Sequence, residues 1–135
     1  MKISRSLLLA VLFPAILASW SCEKNEMFKS ESKIKKQLVG SWNLIPIPRT
    51  NPNEVWTFDN SGNAYLFREP ADHDTGTYEI KTTLTKVELK IKDLEHFTDF
   101  ATTWQVVLLD DEILVMANDH LGATGIKELD FQKRN

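Results

Sequence analysis

The sequence predicts an all-β domain, an eight-stranded antiparallel up-and-down barrel with a short helix in front of it. Three observations carry this. After Gly40 the apolar residues recur with period two, as half-buried strands require. The alternating runs are short, and tight turns separate most of them, so sequence neighbours pair in the sheet. Eight such runs are enough to close on themselves, which removes exposed strand edges. A two-sheet sandwich is the alternative architecture.

Each element has its own justification. Ser30 to Leu38 has weak helical spacing, with Ser30 or Ser32 as a cap and Ile34 and Leu38 one turn apart. The first strand is Leu38 to Ile45, ended by Pro46, Pro48 and Pro52, which cannot donate to a ladder. The second is Glu54 to Asp59, with Trp56 and Phe58 on one face. Asp59-Asn60-Ser61-Gly62 is a turn, and Asn63 to Arg68 is the third strand. Glu69 to Thr75 reads as a polar loop. Gly76 to Lys81 follows as the fourth strand, with Tyr78 and Ile80 inward.

The fifth strand, Lys86 to Lys92, alternates Val87, Leu89 and Ile91 with charged residues. In the sixth, Ala101 to Leu109, Trp104, Val106 and Leu108 share a face. Asp110-Asp111 turns the chain into the seventh, Glu112 to Ala117. A loop with two glycines, Asn118 to Gly125, leads to the eighth, Ile126 to Lys133, with Leu129 and Phe131 inward.

The N-terminus has a different character. Lys2 and Arg5 precede a twelve-residue apolar run, Leu7 to Ala18. As a helix, that run rises roughly 18 Å against about 30 Å of hydrocarbon. It is too short to span comfortably, and Pro14 interrupts it, so it reads as a cleaved export signal. Ser19-Trp20-Ser21-Cys22 closes the run, and Cys22 is the only cysteine. This resembles the lipobox of bacterial lipoproteins, in particular the relaxed form of Bacteroidetes lipoproteins. The resemblance implies that Cys22 is acylated and becomes the new N-terminus, lipid-anchored in the cell envelope at the outer membrane. Acylation also removes an exposed free thiol from an oxidising compartment. The chain then divides into a signal at 1–21, a polar tether at 22–36 and a barrel domain at 37–135. Glu23 and Glu26 in the tether resemble a weak surface-export signal.

The mature chain would have 114 residues, with 14 Lys and Arg against 19 Asp and Glu, a net charge of −5. That balance argues against nucleic acid, which calls for a basic face. With one cysteine there is no internal disulfide, so the fold rests on its apolar core. Of the sequence's four Trp, seven Phe and two Tyr, all but Trp20 and Phe13 lie after the signal and are available to build it.

The order of aromatic motifs carries a second resemblance. Gly40-Ser41-Trp42 opens the first strand after a helix. Trp56-x-Phe58 leads into an Asn-Ser-Gly turn. Gly76-x-Tyr78-x-Ile80, Trp104 and Leu129-x-Phe131-x-Lys133 follow. This order is similar to the lipocalin-like domain of Bacteroidetes-type lipoproteins, over roughly residues 34–134. With no disulfide, the chain is closer to the short, reduced members than to the long lipocalins. The resemblance implies a barrel floor at which Trp42, placed by Gly40, packs under a basic side chain of the last strand. Lys133 is the first candidate and Arg134 the second.

Functional residues follow from the same face assignments. Trp56, Phe58, Tyr65, Phe67, Tyr78 and Trp104 are the expected interior. They either fill an eight-stranded barrel or line a pocket for a small apolar or amphipathic ligand. Asp72-His73-Asp74 places carboxylates and an imidazole together, yet neighbours in an extended loop point apart, and a solvated loop is the simpler reading. His96 and His120 are single. No serine stands in a nucleophile elbow. The expectation is a binding protein with no enzymatic activity, cofactor or metal. The competing expectation is a solid-core barrel acting through the loops Ile45–Asn53 and Glu69–Thr75, as part of an envelope complex or as an inhibitor of a secreted enzyme.

Overall fold

The computed structural model describes residues 30–46, 52–118 and 128–135. The export segment, Cys22, the start of the tether, Pro48 and His120 lie outside the described residues. Helix α1 spans Glu31–Leu38. Eight strands follow: β1 Gly40–Leu44, β2 Glu54–Phe58, β3 Asn63–Arg68, β4 Asp72–Thr82, β5 Val87–Lys92, β6 Thr103–Leu109, β7 Ile113–Ala117 and β8 Glu128–Lys133. Each pairs antiparallel with the next, and β8 pairs with β1, so the sheet closes as an up-and-down barrel.

Local chemistry sets the boundaries. The Ser30 hydroxyl accepts from the Lys33 N–H, which caps α1 at its N-terminus. Lys35 and Lys36 stand in the last turn, where the helix dipole favours cations. The helix therefore takes residues 31–36 out of the expected tether and Leu38 out of the expected first strand. Ile34 and Leu38 are buried and seal one end of the barrel, the floor. At the β2–β3 turn the Asp59 carboxylate accepts from Ser61 N, Asn63 N, Asn63 Nδ2 and the Tyr65 hydroxyl. The side-chain bond from Asn63 is the main cause of a pKa below the usual carboxylate value. Gly62 sits at φ 94° in this turn. Across the turn, Tyr78 donates its hydroxyl to the Asp59 carbonyl at 2.6 Å. Burial first, and the Asp59 charge second, push the Tyr78 phenol up to about 12.

The core is aromatic. Trp42, Trp56, Trp104, Phe58 and Phe131 are all under 2 % exposed, with Leu38, Leu66, Leu89, Ile91, Leu114 and Met116 packed among them. Each of the three indole N–H groups has a partner, as burial demands. Trp42 donates to the Leu38 carbonyl, Trp56 to Glu54 Oε1 and Trp104 to the Phe100 carbonyl. Trp56 touches Phe131 and Phe100 with ring centroids 5.0 and 4.9 Å apart.

Three expectations need correction. Tyr65 and Phe67 point outward, 42 % and 41 % exposed, while Ala64 and Leu66 face the core. Pairing of Trp56 with Leu66 fixes that register, because both faces of the segment are bulky and its own pattern cannot. Residues 72–75 are not a loop: β4 begins at Asp72 and pairs with β3 from Arg68 onward. Leu108 is exposed, since a bulge between Val106 and Leu108 lets Leu109 take the inward position.

Gly76 stands where β4 passes closest to the start of the β5–β6 loop. A Cβ there would collide with the Lys92 backbone carbonyl and the Leu94 side chain. Gly76→Ala should therefore cost more than about 2 kcal/mol, since backbone must shift to admit one methyl. Urea unfolding followed by tryptophan fluorescence measures this. A loss within about 0.5 kcal/mol would show that the close approach is not needed.

Candidate functional site

Antiparallel closure gives the barrel two unlike ends. At the floor, α1 and the tight turns 59–62, 83–86 and 110–112 meet. Lys133 Nζ lies 5.0 Å from the centre of the Trp42 ring and donates to the Gln37 carbonyl at 3.1 Å. A cation over an indole contributes about 0.5–2 kcal/mol. Gly40 has φ 134°, and a Cβ there would press on Lys133 Cε at 3.1 Å. Gly40, Trp42 and Lys133 thus form one packed unit at the floor.

At the other end, the mouth, the β5–β6 loop folds inward. It carries a single 3-10 turn, Thr98–Phe100, and it buries Leu94, Phe97 and Phe100. Asp74 holds it there. One carboxylate oxygen accepts from Glu95 N and Thr75 N, the other from His96 N and Phe97 N. Burial raises the carboxyl pKa, but the four backbone N–H bonds outweigh it and hold the group below the usual value. Asp74 is thus the loop's anchor. Its neighbours Asp72 and His73 are exposed, and His73 shares a shallow groove with His96. Among the described residues no three His, Cys, Asp or Glu side chains are placed to hold a metal ion.

Beside the tucked loop lies a cavity of about 450 Å³. Leu44, Ile45, Pro46, Pro52, Phe100 and Leu129 form its apolar lining, and Glu54, Arg68, Glu128 and Asp130 complete it. Its size falls within the range usual for small-molecule sites. Glu54 and Arg68 face each other across β2 and β3. The Arg68 guanidinium donates from Nε and Nη2 to Glu54 Oε2, both at 2.9 Å, and packs over Phe97 at 4.7 Å. Glu54 is only 5 % exposed, and its other oxygen is taken by Trp56 Nε1 at 2.6 Å. The carboxylate is thereby satisfied on both oxygens, as a buried charge requires.

The expected ligand set and this cavity do not coincide. Trp56, Phe58, Tyr78 and Trp104 lie in the closed core, and none of them lines the cavity. Tyr65 and Phe67 lie on the outer wall. The cavity's polar members escaped sequence reading because Glu54 and Arg68 stand fourteen residues apart and meet only through strand register. Of the two loops expected to form a surface, 47–51 lies outside the described residues, and Asp72–Thr75 belongs to β4.

No family model, no curated protein and no solved structure matches the chain.

Asp74→Ala should cost about 2–4 kcal/mol, since several buried N–H groups lose one shared acceptor. It should also shift the emission of Trp56 and Trp104 to the red, as Phe100 leaves them. The pH sign follows from the direction of the shift. A carboxyl whose folded pKa is depressed stabilises fully above its unfolded value and loses this as pH falls through the folded one. Wild-type stability should therefore drop below about pH 4, where a free carboxyl titrates, and the drop should be shallower in Asp74→Asn. Parallel acid profiles for the two proteins would remove Asp74 from this role.

Proposed function

We propose that the protein is a lipid-anchored component of the bacterial cell envelope, held at the outer membrane by acylated Cys22, and that its lipocalin-like barrel binds a small amphipathic molecule. The observation that carries the binding reading is the mouth cavity. It combines an apolar wall of Leu44, Phe100 and Leu129 with a fixed Glu54–Arg68 pair. The core behind it is filled, so the ligand enters at the rim rather than along the axis. Two of the five guanidinium N–H donors of Arg68 are engaged by Glu54. The remainder can hold a ligand carbonyl, hydroxyl or carboxylate. No catalytic role is assigned. The motif Asp72-His73-Asp74 is accounted for by loop anchoring through Asp74.

A second reading, a module that acts through its surface, is favoured by one feature. Tyr65 and Phe67 project side by side from β3, next to Val55 of β2 and opposite Thr75 and His73 of β4. Exposed aromatic pairs of this kind are enriched at interfaces.

The anchor is tested on protein purified from detergent extracts of the native cells. Its intact mass should equal residues 22–135 plus acyl chains, and Cys22→Ala should leave the protein in the soluble fraction. Binding is tested with an environment-sensitive naphthylamine probe. The wild-type mature chain should enhance its emission in a saturable way, and Leu44→Trp, which fills the cavity, should weaken binding at least about tenfold, or 1.4 kcal/mol. If the parent protein gives no saturable signal, the cavity reading falls and the outer-wall reading takes its place.

A further inference from the structure

We infer that the floor end of the barrel, on the side of α1 and the β4–β5 turn, is a docking surface for the lipid bilayer that carries the anchor. The inference rests on the acylated Cys22 of the proposed function, and it adds an orientation.

The argument begins with exposed apolar residues in an unusual place. Leu84 stands at the tip of the β4–β5 turn and is 81 % exposed, and Val107 on the bulge of β6 is 57 % exposed. A groove of about 630 Å³ runs between them, lined by Val87, Val106 and Lys86, and its far wall is Ser30. The turn that lifts Leu84 is closed by hydrogen bonds. Its hydroxyl hub, Thr83 Oγ1, meets Thr85 N, Lys86 N and the Lys86 carbonyl. A large aliphatic side chain held out into water on such a turn buries little area in the fold. It suits a residue that enters an apolar phase.

Ser30 also limits how far the floor can stand from the membrane. It is the first residue before α1, and it lies eight positions after Cys22. Fully extended, those eight steps span about 28 Å at most. An acylated Cys22 therefore keeps the groove, Leu84 and α1 within reach of the headgroups. Charge agrees with this. Lys33 and Lys36 are exposed on α1, while Lys86 of the groove pairs with Glu88 at 2.5 Å and the two cancel. Two further acidic residues stand beside α1: the Glu31 carboxylate accepts from Thr82 N, and Glu79 is paired with Lys92 at 2.6 Å. The acidic turn Asp110-Asp111-Glu112 lies at the same end, beyond β6. The barrel consequently leans toward α1 and away from that turn. The mouth cavity, at the opposite ends of the strands, then opens to the aqueous compartment, so the ligand is taken from solution.

The test couples the mature chain through Cys22, its only thiol, to a maleimide lipid in vesicles of phosphatidylethanolamine and phosphatidylglycerol. Amide hydrogen exchange is compared with the free chain. The expected result is exchange slowed several-fold at 83–86 and at 107–109, with the amides of Asn53, Glu69, Ala71 and Asp72 unchanged. Leu84→Asp combined with Val107→Asp should abolish that protection, and both substitutions lie at exposed sites where the fold tolerates polarity. Unchanged exchange at 83–86, or protection at the mouth instead, overturns the inference. The synthetic thioether supplies the anchor whether or not cells acylate Cys22. A failure here sinks the docking surface and leaves the anchor standing, whereas an unmodified native mass sinks the anchor and with it the premise of this orientation.

Discussion

Trp42 ties together the parts of this fold that have no other reason to meet. Its ring is fully buried where β1 closes on β8, between Trp56 of β2 and Lys133 of β8 in the pairing. Its N–H reaches back to Leu38 at the end of α1, and Lys133 bridges the same helix end through Gln37. An eight-stranded sheet without a disulfide must specify its own closure, since an unpaired β1 or β8 would be an open edge. One indole, one ammonium and one helix end supply that specification. Gly40 is part of it, because a side chain there would displace Lys133.

Closure at the floor fixes what the mouth can be. The strands enclose a volume that three tryptophans and two phenylalanines already fill, which is how small barrels usually resolve their interiors. The cavity lies at the mouth, beside the tucked loop. The β5–β6 loop covers the core by turning Phe100 inward over Trp56 and Trp104, with Phe97 packed on Phe100. The chain accepts a buried carboxylate to hold the loop there. Asp74 makes that acceptable, since four N–H donors replace its hydration. The Glu54–Arg68 pair follows the same logic across the sheet. It satisfies the carboxylate next to Trp56 and leaves a guanidinium at the cavity's side.

The elements that read plainly from sequence are those whose two faces differ. Val87, Leu89 and Ile91 against Glu88, Lys90 and Lys92 left one possible face for β5, and the structure uses it. Such runs carried the barrel class, while the third strand, NAYLFR, and the seventh, EILVMA, were marked out by the turns that bound them. The misreadings share a physical cause: the deciding partner lies far off in the chain. Tyr65 and Phe67 look like core residues until Trp56 pairs with Leu66 and sets the opposite face inward. Asp72-His73-Asp74 looks like a loop until the backbone of 95–97 arrives to satisfy Asp74. The bulge at Val107 leaves no compositional mark. For the candidate site the signal was weaker still. Glu54 and Arg68 are ordinary charged residues at strand ends, and only register makes them a pair.

The two ends of the barrel therefore carry separate duties, and the same antiparallel geometry imposes the separation. In an up-and-down barrel every second turn lies at the same end: here the turns 59–62, 83–86 and 110–112 share the floor, and the longer β5–β6 connection lies at the mouth. The chain enters at the floor through Ser30, which places any N-terminal anchor on the side of the tight turns. Leu84 stands in one of those turns, where a polar residue would serve the fold equally well. The tucked loop, the Glu54–Arg68 pair and the cavity stand at the far end, about a strand's length away. The antiparallel topology alone, with no hinge, therefore keeps the point where the chain enters the barrel and the mouth cavity at opposite ends.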